Sequence, residues 1–127
     1  MERVTGIGGI FFKARDSKSL GEWYKTHLGI DVQEWGGAAF SWGEGTGEPK
    51  GVTIWTPFKA DTKYFEPGTA PFMLNYRVRD LDAMLAQLRE AGVQVDDKVD
   101  DSEYGRFGWA MDPEGNRFEL WQPPEGM

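Results

Sequence analysis

Two short alternating runs, "GIFFKARD" at 9–16 and "MLNYRVRD" at 73–80, set the frame of the chain. A period of two puts successive side chains on opposite faces of a sheet, so each run predicts a strand. Each closes on an Arg-Asp pair, Arg15-Asp16 and Arg79-Asp80. An Asp in that place can cap the first turn of a following helix. The apolar period then becomes helical. Over about 17–28, Leu20, Trp23, Tyr24 and Leu28 share one face and Gly29 ends the run. Over about 81–91, Leu81, Met84, Leu85 and Leu88 form the stripe and Gly92 ends it. Strand-like stretches follow each helix, near 31–35, 38–42 and 51–55, then near 94–99, 104–111 and 116–121.

The two halves repeat one order of elements. The first strands lie 64 residues apart, the stopping glycines 63, and the last strands, Thr53 against Glu119, 66. The chain is therefore read as strand–helix–strand–strand–strand, twice, within one domain over residues 1–127. Module 1 covers about 5–57, a linker about 58–70, and module 2 about 71–123. The linker's prolines and aromatics point to an ordered segment packed on the surface. "GEGTGEP" at 43–49 reads as a turn region and not a phosphate cradle, since no helix follows it. "DPEGN" at 112–116 is a tight turn, with Pro113 presetting φ and Gly115 or Asn116 accepting positive φ. The acidic run at 95–103 reads as a solvated edge.

Composition narrows the chemistry. The absence of cysteine removes disulfides, thiolate nucleophiles and cysteine metal sites. A net charge of −7 disfavours nucleic acid. The N-terminal residues carry no apolar run of the length a signal peptide or membrane span needs, so a cytoplasmic protein without membrane partners is expected. The single histidine, His27, falls at the end of the first helix, where it suits the helix dipole better than a catalytic triad.

"GIFFKARDSKSLGEWYKTHLGIDV" and the closing "YGRFGWAMDPEGNRFELWQP" resemble the vicinal oxygen chelate superfamily of glyoxalases, extradiol dioxygenases and bleomycin-resistance proteins. The resemblance covers nearly the whole chain. It implies an α+β fold of two tandem βαβββ modules whose curved sheets enclose one cleft, and a homodimer. Metal enzymes of the superfamily place ligands on the first and last strand of each module. By that resemblance the corresponding positions here are Gly9, Thr53, Met73 and Glu119. Only Glu119 is a usual ligand, and a divalent ion needs about three or more protein donors. No metal and no cofactor are expected.

Strand alternation then assigns faces. If Gly9 faces the cleft, so do Phe11 and Lys13; the same parity turns Met73, Asn75 and Arg77 inward, with Thr53, Trp55, Arg117, Glu119 and Trp121. Phe11, Trp55 and Trp121 would be aromatic walls, and the charged and amide groups polar handles for a flat or amphipathic organic molecule. Trp42 and Trp109 are candidates to extend the wall. Two readings stand beside each other. One is a metal-independent small-molecule binding protein of the bleomycin-resistance type. The other is a non-metal isomerase or lyase with Glu119 as general base and Arg77 or Lys13 stabilising charge. An ion pair of Glu119 with Arg77 or Lys13 would weaken the second. An atypical metal enzyme and a pure dimerisation module are further possibilities.

Overall fold

A computed structural model describes residues 1–43 and 51–127. The elements are β1 (Val4–Ala14), α1 (Ser17–Leu28), β2 (Ala38–Ser41), β3 (Val52–Lys59), β4 (Phe72–Val78), α2 (Leu81–Glu90), β5 (Asp100–Ser102), β6 (Gly105–Met111) and β7 (Arg117–Gln122). The architecture is α+β. The seven strands form one curled sheet in the order β2-β3-β1-β4-β7-β6-β5. In each half the first strand pairs in parallel with the last: β1 with β3, and β4 with β7. The halves join where β1 and β4 run antiparallel through the middle of the sheet.

Both helices start as the sequence predicts. The Asp16 carboxylate accepts from Ser19 N at 3.0 Å and that of Asp80 from Ala83 N at 3.1 Å. Gly29 ends α1 in the left-handed region, with φ 67°. α2 buries Leu81, Met84 and Leu85 against Val78 of β4 and Leu120 of β7. This is the larger part of the outer core. α1 packs more lightly; Gly21 is its one buried residue, while Trp23 and Leu28 stay exposed. Among the described residues no helix is long and apolar enough to cross a membrane.

Gly21 offers a clean test of that light packing. A Cβ there would meet Val32 Cγ1 at 3.4 Å, an ordinary contact. Gly21→Ala should stabilise the protein by about 0.5–1 kcal/mol through helix propensity and a less entropic unfolded chain. Thermal unfolding should show a rise of a few degrees; a fall would mean that Val32 cannot yield.

Three expectations change. Residues 31–35 are not a strand but a loop and turn, closed by Gln33 N to Gly37 O and Gly36 N to Gln33 O. Val32 is its inward residue, and Gln33 Nε2 donates to the Asp31 carbonyl oxygen at 3.1 Å. Residues 94–99 contribute only an isolated bridge, Val95 with Ala110, and the second strand of that half is the short β5. The linker is no mere surface strap: β3 extends to Lys59, Phe65 is 1% exposed, and Tyr64 reaches the cleft. In the 112–116 turn Gly115 takes the positive φ (82°), and the Asp112 carboxylate accepts from both Glu114 N and Asn116 N at 2.9 Å. Of the Gly-rich segment at 43–49, all but Gly43 lies outside the described residues.

Candidate functional site

The concave face of the sheet holds a cleft of about 640 Å³. Its walls are Phe11 from β1, Val52, Ile54 and Phe58 from β3, Phe107 from β6 and Trp121 from β7. Trp35 and Tyr104 stand at the rim, and Met127 also contributes. Asn75, Glu119 and Tyr64 give the polar floor. The floor is close to the backbone because β1 brings two glycines there, at a register shift between Ile7 and Gly9. A side chain at Gly8 would fall on Asn75 Oδ1 and Trp121; one at Gly9 would reach Phe11 Cζ at 2.7 Å.

Glu119 is the centre of this floor. It is 2% exposed, and its oxygens are taken by three donors. Asn75 Nδ2 donates to Oε1 at 2.6 Å, Trp109 Nε1 donates to Oε2 at 2.9 Å, and the Tyr64 hydroxyl donates to Oε2 as well. Burial pushes its carboxyl pKa up, while the three hydrogen bonds pull in the opposite direction. Burial and the adjacent Glu119 charge also raise the Tyr64 phenol well above its usual value, so that hydroxyl keeps its proton. Among the described residues Glu119 makes no ion pair. The pairing with Arg77 or Lys13 that would weaken the general-base reading is absent among these residues.

Arg77 has another setting. Its guanidinium lies between two indoles, 4.9 Å from the Trp42 ring centre and 5.1 Å from that of Trp121. Nη2 donates to the Met127 carbonyl oxygen at 2.9 Å. Phe107 continues the stack on Trp121, with ring centres 6.0 Å apart and planes within 5°. Desolvation in this sandwich lowers the Arg77 pKa from its ordinary value.

The predicted parity holds on β1, β4 and β7 and fails on β3. Phe11, Asn75, Glu119 and Trp121 meet in the cleft. Met73 shares that face but is sealed in the core with Phe11, Phe65 and Trp109. Trp55 points the other way, against Phe12 and Tyr24 of α1, at 5.3 and 5.1 Å between ring centres. Thr53 does not enter the cleft either; its hydroxyl accepts from Trp42 Nε1 at 2.7 Å and donates to Ile7 O at 2.6 Å. The cause is register. Ile54 lies opposite Gly9 in the β1–β3 ladder, as Glu119 lies opposite Asn75 in the β4–β7 ladder. β3 therefore turns Val52 and Ile54, not Thr53 and Trp55, to the cleft, and a slip of one residue inverts the whole strand. Lys13 lies beyond the cleft lining, with Nζ 5.8 Å from the Phe65 ring centre. Arg117 also lies outside, over the far face of Trp109, bonded to Asp96 at 3.2 Å and to the Tyr64 carbonyl at 3.2 Å.

Two groups that meet Glu119 are not among the cleft residues that strand alternation assigns from the sequence. Tyr64 belongs to the linker, where no strand parity assigns a direction. Trp109 lies on β6, opposite Glu119 in the β6–β7 ladder. The signal that finds it is the pairing register of the closing hairpin.

The donor set does not fit the metal of the superfamily's enzymes. Glycine and isoleucine face one another on β1 and β3, the Phe11 ring fills the space beside Gly9, and Met73 is packed in the core. Glu119 and Asn75 are bonded to each other. Among the described residues no three His, Asp or Glu side chains come together in a ligating cluster.

Comparison with known proteins agrees with this architecture. The sequence matches the model of the glyoxalase-like domain over residues 9–121. Methylmalonyl-CoA epimerase from Mycobacterium tuberculosis superposes with a TM-score of 0.62 at 22% identity, over 95% of this chain and 89% of that one. A Streptomyces coelicolor methylmalonyl-CoA epimerase variant in complex with 2-nitronate-propionyl-CoA gives 0.64 at 20% identity, over 93% and 96%. A structure described as a NAD-dependent benzaldehyde dehydrogenase from Legionella pneumophila gives 0.58 at 14%, over 89% and 96%. At these identities the likeness is one of fold. No curated protein sequence matches the chain.

Proposed function

The chain belongs to the glyoxalase-like domain family, within the vicinal oxygen chelate superfamily, and we propose that it binds a small, flat organic molecule without a metal ion. The observation that carries this reading is the floor of the cleft. The carboxylate that superfamily enzymes use as a ligand is here enclosed by Tyr64, Asn75 and Trp109, and β3 presents Val52 and Ile54 to the cleft. Around it stand apolar and aromatic walls that suit a planar ligand. The protein is thus read as one of the bleomycin-resistance kind, holding a compound without turning it over. Calorimetric titration with a naphthalene-sized aromatic should give the same Kd before and after exhaustive treatment with EDTA. Elemental analysis of untagged protein should find well under one metal ion per chain. Binding that disappears with the chelator, or a tightly held ion, overturns the reading.

A second reading keeps one favourable observation. Burial raises the Glu119 pKa in the direction a general base needs, and no Arg77 or Lys13 ion pair quenches it. This would make the protein a non-metal isomerase or lyase. Its test is loss of the α-proton signal of 2-hydroxyacetophenone in deuterated buffer, followed by NMR. Exchange faster than buffer and abolished in Glu119→Gln would favour it; exchange at the buffer rate removes it.

The same proposal includes a homodimer in the cytoplasm. Ile10 and Phe72 are 41% and 43% exposed on the outer face of neighbouring strands β1 and β4, an apolar surface of the kind subunits cover. Sedimentation velocity decides the oligomeric state.

A further inference from the structure

We propose that the cleft floor recognises a hydrogen-bond donor: a flat aromatic ligand enters with an O–H or N–H group that donates to Tyr64 Oη. This rests on the small-molecule reading above and adds the chemical class of the ligand's head group. Tyr64 has one hydroxyl proton, and it goes to Glu119. The indole proton of Trp109 goes to the same carboxylate, and the Asn75 amide donates to its other oxygen. Trp121 Nε1, at the adjoining wall, donates to the Tyr104 carbonyl at 2.8 Å. Apart from the second proton on Asn75 Nδ2, the floor's donors are spent on Glu119 and the backbone, while acceptor capacity is left over. Tyr64 Oη keeps its lone pairs, and the residue is 38% exposed.

A second, independent observation points the same way. Asn75 is 2% exposed, yet its Oδ1 has no partner among the described residues. The orientation of this amide is dictated by Glu119, because only the nitrogen can face a carboxylate. An acceptor is thereby left beside Gly8 on the cleft side, where a donor or a donor-bridged water would satisfy it. The Tyr64 ring itself is fixed: Phe58 stacks on it with ring centres 5.6 Å apart and planes within 16°, and Arg117 Nε holds its carbonyl. The phenol oxygen is thereby held in place, and turning its proton toward a ligand acceptor would strip the buried Glu119 carboxylate of one of its three donors. A ligand that brings only an acceptor would set lone pair against lone pair, and a site built to pair one polarity rejects the other strongly.

The test uses 2-naphthol and 2-methoxynaphthalene, one skeleton with and without the donated proton, titrated calorimetrically. Wild type should bind 2-naphthol about tenfold or more tightly than the methyl ether. In Tyr64→Phe the ratio should fall to about two or less with the ether's affinity unchanged. Equal binding of the two probes by wild type overturns the donor inference and leaves the binding reading standing, as does a preference that survives Tyr64→Phe. Binding of neither probe overturns both. If Tyr64→Phe does not fold, the wild-type ratio alone decides.

Discussion

Gly8→Ala should cost the protein about 3 kcal/mol and lower its midpoint of thermal unfolding by roughly 10 °C. The reason is where the new methyl would go. Built on the existing backbone, it falls on Asn75 Oδ1, 2.8 Å from Trp121 Cε3 and 3.0 Å from Arg77 Cγ. None of these can retreat cheaply. Asn75 is tied to Glu119, Trp121 is wedged between Arg77 and Phe107, and Arg77 is held in turn by Trp42. One methyl group therefore pushes on the carboxylate cluster and on the stacked rings at once. Aromatic probes should lose most of their affinity for the variant even below its melting point. The control is Gly9→Ala, whose methyl meets the edge of the Phe11 ring and lies 3.3 Å from Asn75 Cβ without touching the Arg77–Trp121 stack, and it should cost less than half as much. Equal melting temperatures for Gly8→Ala and wild type would mean that β1 relaxes at its register shift and that the close approach is unimportant.

Glu119 separates two substitutions that a cruder view would equate. Glu119→Ala leaves Trp109 Nε1, Asn75 Nδ2 and the Tyr64 hydroxyl facing an empty space without their acceptor, at a cost of about 3–5 kcal/mol. Glu119→Gln keeps the shape. Its oxygen can serve Tyr64 and Trp109, and its amide can face Asn75, which needs only to rotate so that the partnerless Oδ1 accepts. The charge is what this variant removes. Burial raises the Glu119 pKa in the folded state above its unfolded value. A carboxyl raised in this way contributes stability that is fully present below the unfolded pKa and is lost as pH rises through the folded one. Wild type should thus lose stability relative to Glu119→Gln on going from about pH 4 to about pH 8, with the variant equal or more stable at the upper end. Melting curves of both proteins across that range check the sign. A variant that falls further behind wild type as pH rises would show that the three hydrogen bonds outweigh burial and hold the carboxylate charged.

The elements that chemistry marks locally are legible in the chain itself. Asp16 and Asp80 cap their helices because a carboxylate one residue before a helix has orphan amides in reach, and Gly29 ends α1 because only glycine takes φ 67° without strain. The faces of β1, β4 and β7 follow from alternation against helices that must be covered. β3 misleads because its apolar residues occupy both parities. Val52 and Ile54 look like core backing, and Trp55 looks like a cleft wall, until the pairing of Ile54 with Gly9 decides the matter. Register between strands 45 residues apart is not written in either strand alone. Tyr64 is hidden for a different reason. Its direction depends on Phe58 beneath it, Arg117 behind it and Glu119 in front, three contacts that no local period encodes.

The origin of Tyr64 in the linker has a consequence for how the molecule assembles. Each half closes on itself through a parallel pairing of similar span, Gly9 with Ile54 and Asn75 with Glu119, so the two chain closures carry nearly equal entropic costs. The cleft exists only once β1 has zipped onto β4 and the 60–71 segment has laid Tyr64 across the seam. A ligand seated there adds its binding energy to the joined state and none to halves that have formed but stand apart. Its dissociation constant, followed as denaturant is raised, becomes a gauge of whether the two halves part company before either of them unravels.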